Sequence, residues 1–262
     1  MTAMNIIVQA KAAAAYLLTD TAGYAEGGTV VQFRPKVLAL DIGSGSFAAV
    51  ATTGMPSQSY LRQRLLNHRA NRVEDLLRAL PAMFRDIERD LRGDGVPEAC
   101  GTAHMSAVVA VFDSERGVAS GYAISNDFSL FPPGKAVPYR LQPVLKYLTR
   151  YRGQPFPRGT DMCDPRRWNP QRDAVALIEA QRADDFGLEG NTYGGVGGRA
   201  ILSTVSATGV EHQVITAWAD RIGQKIDRSR DDRPSLSERL RRRGRQRILP
   251  PMPRIRLEPV RA

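Results

Sequence analysis

Residues 4–36, MNIIVQAKAAAAYLLTDTAGYAEGGTVVQFRPK, decide the reading of this 262-residue chain. An apolar run, Ile6-Ile7-Val8, leads to Lys11 and the small-residue stretch 12–15. A second run, Tyr16-Leu17-Leu18-Thr19, ends at Asp20-Thr21. A polar, glycine-bearing excursion over 24–29 returns through Val30-Val31-Gln32-Phe33 to Arg34-Pro35-Lys36. Short β-branched and aromatic runs separated by small or turn residues predict strands joined by tight connections. Taken singly, Asp20-Thr21 reads as a strand-end turn whose side chains bond neighbouring amides. Lys36 taken singly reads as a solvated strand residue.

Outward from this stretch the pattern stays locally legible. Residues 37–50 read as strand, Gly-Ser turn and strand, and Gly43-Ser44-Gly45 is a hairpin turn because no third glycine and helix follow it. Residues 51–54 form a small-residue corner. Leu61, Leu65 and Leu66 recur at helical spacing, and Asn71-Arg72-Val73-Glu74 has the form of a cap with Glu at the third helical position. The stripe Val73, Leu76, Leu77, Leu80, Phe84, Ile87 and Leu91 extends that helix, which Pro81 is expected to kink or split. Residues 105–112 predict a buried strand, 113–117 a loop and 118–124 its return. Asn169-Pro170 opens a further helix with Asn as N-cap and Pro in the first turn. The glycine cluster 187–198 leads into a strand, not a helix, so it is not a phosphate cradle. Residues 199–218 predict a closing hairpin turning at Ala207-Thr208-Gly209.

Two regions stand apart. Residues 128–170 carry eight prolines, and only 141–151 reads as a helix. Tyr139, Tyr147, Tyr151 and Trp168, interleaved with arginines, are candidate anchors for a protein interface or a nucleic-acid surface. Residues 228–262 contain twelve Arg and no Lys against four acids, which is +8 of the chain's net +10. The basicity therefore belongs to a tail and not to the globular part. Arg241, Arg242 and Arg243 would suit phosphates. Ile255 and Leu257 would suit an arm docked on a neighbouring subunit.

Composition excludes several classes. No run of about 18 apolar residues is present to span a membrane, and the N-terminus lacks a signal-peptide layout. Cys100 and Cys163 lie far apart without metal spacing, as expected of reduced thiols in a cytoplasmic protein. His68, His104 and His212 have no ligand spacing, so neither metal nor cofactor is expected.

The spacing of Asp20 and Lys36 around the excursion, together with the closing hairpin 199–218, resembles the N-terminal-nucleophile (Ntn) hydrolases of the proteasome β-subunit type. The resemblance implies a four-layer αββα sandwich over residues 1–227, with the insertion 128–170 and a basic C-terminal arm over 228–262. In that family the first residue of the mature chain is a Thr whose amine and hydroxyl carry the chemistry, with an Asp and a Lys completing the site. Laid on without gaps, Asp20 and Lys36 take those positions and Met4 takes the nucleophile's. A thioether has no ionisable group to activate, so the expectation is a catalytically silent fold. The alternative is an active peptidase or amidase using Thr2 after removal of Met1. Thr2 stands two residues upstream, about 6–7 Å along an extended strand, where about 1 Å of misplacement can cost on the order of a hundredfold in rate.

Trp218-Ala219-Asp220 and Gly223 further resemble proteasome-like proteins of phage and prophage genomes. That resemblance implies a structural, virion or tail component, made in the cytoplasm. It would assemble with its own copies and other virion proteins through 128–170 and the arm. A weaker expectation is a nucleic-acid-associated factor acting through the tail.

Overall fold

The computed structural model describes residues 3–25, 28–52, 55–68, 70–93, 105–125, 139–148, 165–183 and 195–226. Strands β1 (Met4–Gln9) and β2 (Ala14–Asp20) form an antiparallel hairpin closed by a short 3-10 turn, Ala10–Ala12. Ala13, in the left-handed region at φ 45°, completes the turn and sets the register that pairs Met4 with Thr19. Next come β3 (Ala22–Tyr24) with β4 (Val30–Phe33), and then β5 (Val37–Gly43) with β6 (Ser46–Thr52). Helices α1 (Met55–Asn67) and α2 (Val73–Gly93) precede the hairpin of β7 (Ser106–Asp113) and β8 (Val118–Ser125). Short β9 (Gln142–Pro143) and β10 (Lys146–Leu148), helix α3 (Pro170–Ala183), and the hairpin β11 (Arg199–Ser206) and β12 (Gly209–Ala217) complete the order.

The strands assemble into one sheet of order β10-β1-β2-β11-β12, a second of order β5-β6-β7-β8-β9, and the two-stranded β3-β4. Three sheets and, among the described residues, only three helices make this a mostly β architecture, which corrects the expected four-layer αββα sandwich. Part of the reason is local. Residues 141–151 were expected to be helical, yet the described part of that segment holds β9 and β10, captured by two sheet edges. Val144 N–H donates to Gly121 O (2.8 Å) and Val8 N–H to Leu145 O (2.9 Å). Pro143 has no N–H to offer a ladder and is tolerated on an edge strand. Gly121 permits the close approach, since a Cβ there would meet Val8 and Ile6 side chains and the Val144 carbonyl.

The two large sheets face one another through Met4, Ile6, Ala15 and Leu17 on one side and Ala49, Ala51, Val108 and Ala110 on the other. Period-two alternation sends β6's Ala48 and Val50 to the opposite face, where α1 and α2 pack. On the far face of the first sheet, α3 buries Ala174, Leu177 and Ile178 against Ile7, Leu18 and Leu202. α2 runs through Pro81 without splitting. Proline in a helix interior costs about 3 kcal/mol. Burying Leu76, Leu80, Phe84, Ile87 and Leu91 returns roughly 1.5–3 kcal/mol each, and that sum decides the outcome.

Candidate functional site

Asp20 ends β2 and Lys36 immediately precedes β5, so the site lies where the two large sheets meet. Lys36 Nζ lies 2.7 Å from Asp20 Oδ1, and both side chains are buried. The same oxygen accepts the Ala3 backbone N–H at 3.0 Å. Asp20 Oδ2 accepts the N–H groups of Ala22 at 3.3 Å and Gly197 at 3.2 Å. Four donors occupy the lone-pair sites of the carboxylate. Asp20 is therefore an orienting group that holds a lysine in place. Lys36 and Ala3 share one acceptor atom, so Ala3 N lies within the sum of 2.7 and 3.0 Å of the Lys36 ammonium.

A second buried ion pair stands beside the first. The Arg182 guanidinium, near the end of α3, is bidentate on Asp220, with Nη1 and Nη2 each 2.9 Å from one carboxylate oxygen. Arg182 Nη1 also donates to Val196 O at 2.6 Å, and the guanidinium stacks 4.6 Å from the Trp218 ring centroid. The dipeptide Gly197-Gly198 joins the two pairs, since Gly197 N–H points to Asp20 and Gly198 N–H donates to Asp220 Oδ2 at 2.7 Å. Both glycines are required. A Cβ on Gly197 would come 2.9 Å from Asp220 Oδ2 and 3.2 Å from Tyr24 Oη, and Gly198 has φ +75°. Thr21 closes the arrangement by accepting the Arg199 N–H on Oγ1 at 2.9 Å.

Sequence reasoning did not single out Arg182 or the Gly197-Gly198 dipeptide, the strap before β11, as site residues. Its only signals were the glycine corner before β11 and the Trp218-Ala219-Asp220 motif, neither of which names a partner. Met4, aligned with the nucleophile, is wholly buried in the apolar layer between the sheets. Thr2 lies outside the described residues, as do Tyr151, Arg241, Arg242, Arg243, Ile255, Leu257 and the whole 228–262 arm.

Two of the expected interface anchors are core residues. Tyr139 packs on the α1–α2 side with its hydroxyl on Glu88, and Trp168 packs beneath α3. Apolar area decided their placement over their polar tips. Tyr147 is half-buried on β10 against the inter-sheet layer. His212 Nδ1 meets Ser203 Oγ at 2.8 Å, and burial pushes its imidazole below the usual value. Among the described residues no three His, Cys, Asp or Glu come together in a metal-holding group, and no helix is long and apolar enough to cross a membrane.

No protein-family model matches the sequence, and no curated protein matches it. Solved structures do. The chain is similar to Anbu from Hyphomicrobium sp. strain MC1, with TM-score 0.53 and 12% identity over 84% of this chain and 89% of that one. It is similar to Anbu (ancestral beta-subunit) from Yersinia bercovieri, with TM-score 0.55 and 9% identity over 82% and 86%. A third likeness is to the helical assembly of the Anbu complex from Pseudomonas aeruginosa, with TM-score 0.51 and 12% identity over 84% and 88%. At these identities the likeness is one of fold alone: the chain has the fold of the Anbu structures. These neighbours are bacterial Anbu proteins, which overturns the expected resemblance to phage and prophage proteins and removes the basis for a virion or tail role.

Proposed function

We propose that the chain is a threonine-type amide hydrolase whose nucleophile is Thr2, made the leading residue by removal of Met1. The observation that carries this reading is the Ala3 N–H on Asp20 Oδ1, beside Lys36. That amide nitrogen is bonded to the Thr2 carbonyl carbon, so Thr2 is one peptide bond from a group held by Asp20. The register supports the same residue. Met4 pairs with Thr19 inside the β1–β2 ladder, and it is Ala3, the residue before it, whose N–H reaches Asp20. Met4's burial among Ile6, Leu17 and Ala15 suits a core residue.

The chemistry follows from the groups present. Thr2 Oγ attacks the carbonyl carbon of a peptide or amide while its proton passes to the Thr2 amine. The C–N bond breaks, the amine leaves with that proton, and water hydrolyses the resulting ester. A hydroxyl is a weak nucleophile at neutral pH and needs an adjacent base and a favourable field. Lys36 supplies the positive charge of the site, and Asp20 holds Lys36 in place.

The test is intact mass followed by turnover of fluorogenic peptide amides. Loss of Met1, with turnover abolished by Thr2→Ala, is the expected result. A retained Met1 without turnover ends the reading and leaves a silent fold, and turnover that survives the substitution ends it by assigning the activity to another group. The helical assembly of the Pseudomonas neighbour also supports assembly of this chain with its own copies. Light scattering that finds only monomer would remove that part.

A further inference from the structure

We infer that Arg182 and Asp220 are positioning residues for the hydrolysis proposed above, acting on Lys36 through two consecutive backbone amides. The inference rests on that reading of Thr2 and extends it to a second ion pair. The connection is continuous. Arg182 grips both oxygens of Asp220, and Asp220 Oδ2 accepts the Gly198 N–H. One residue back, Gly197 N–H donates to Asp20 Oδ2, and Asp20 Oδ1 holds Lys36. The far side of the strap is tied as well, because the Trp218 N–H donates to Gly198 O at 2.9 Å while the Trp218 ring covers the guanidinium.

A staple for stability alone does not call for these groups. Exchanging a buried ion pair for apolar side chains of similar volume is often neutral or stabilising. Here the side-chain exposures of Arg182 and Asp220 are 2% and 3%. What the charges supply is direction. They fix the Gly198 amide, and with it the neighbouring amide aimed at Asp20. The contacts of Gly197 and Ala22 with Asp20 Oδ2, at 3.2 and 3.3 Å, are longer than the Lys36 contact. A displaced strap therefore lets the carboxylate rotate and carry Lys36 with it. Displacement of a catalytic group by about 1 Å costs on the order of a hundredfold in rate.

The experiment uses the full chain with Arg182→Lys, which keeps the charge but loses the planar fork, and Asp220→Asn, which keeps the shape but loses the charge. The expected result is a kcat for peptide-amide hydrolysis lower by about 10- to 100-fold with KM within about twofold. Hydrogen exchange should accelerate at the Gly197 and Gly198 amides while Leu202 in β11 stays protected. A purely structural pair would speed exchange across β11 and leave the kcat of the folded fraction unchanged, and that outcome overturns the inference. So does unchanged exchange at Gly197 in both variants. If Arg182→Lys does not fold, Asp220→Asn alone carries the decision. A wild type without turnover fails the Thr2 reading, whereas wild-type turnover that both variants retain in full fails this one.

Discussion

Lys36 and Asp20 meet at 2.7 Å in a site where the carboxylate side chain has no solvent exposure and the lysine side chain only 8%. Three backbone amides complete the carboxylate, from β1's approach, from β3 and from the strap before β11. One side chain thus ties the start of β1 and the strap before β11 to the end of β2.

Asp20→Asn should destabilise the fold by about 3–5 kcal/mol, because it leaves the Lys36 ammonium buried without its counter-charge. Urea denaturation measures this. A loss below about 1 kcal/mol would mean that water reaches the pair and that the ion pair is not a buried one.

Met4 is expected to behave as a core residue. Met4→Leu, which conserves volume, should cost less than about 1.5 kcal/mol, and Met4→Ala about 2–5 kcal/mol. If folded Met4→Leu protein loses turnover, Met4 belongs to the chemistry and the assignment of Thr2 falls.

Gly198→Ala combines a φ of +75° with a Cβ placed 2.5 Å from Thr21 Oγ1 and the Phe33 ring. The penalty should exceed about 1 kcal/mol, read as a lowered melting temperature with turnover reduced further than the unfolded fraction explains. A neutral Gly198→Ala would show that the strap tolerates displacement.

Burial holds the His212 imidazole below its ordinary value of 6.5. The unfolded chain then takes up this proton at a higher pH than the folded one. The associated stability is present above about pH 6.5 and is lost as pH falls toward the folded value. Melting temperature should therefore drop between about pH 7 and 5, above the range where most carboxylates titrate. His212→Gln should flatten that segment. An unchanged slope in His212→Gln would assign the acid sensitivity to other groups.

The hairpins were legible before any coordinates. The strands 37–50, 105–124 and 199–218 are each closed by a short turn, and their alternation and turn residues sit within one stretch of chain. The segment 141–151 was not legible. Its helical spacing competed with two open sheet edges that no local pattern announces, and the edges prevailed. The αββα expectation also gave way, because layer composition depends on which segments the sheets recruit. Tyr139 and Trp168 carry the same amphipathic signature whether they anchor an interface or fill a core, so only packing separated the two.

The sequence by itself determined the strands of the hairpins, because alternation and turn residues lie within one stretch of chain, and a site joining Asp20 to Lys36 was what the resemblance to the Ntn hydrolases implied. The tertiary structure alone decided what that site is made of. Gly197 lies 177 positions from Asp20, and Asp220 lies 38 from Arg182. A buried charge must collect donors from wherever the folded chain brings them, and that requirement leaves no periodic trace in the sequence.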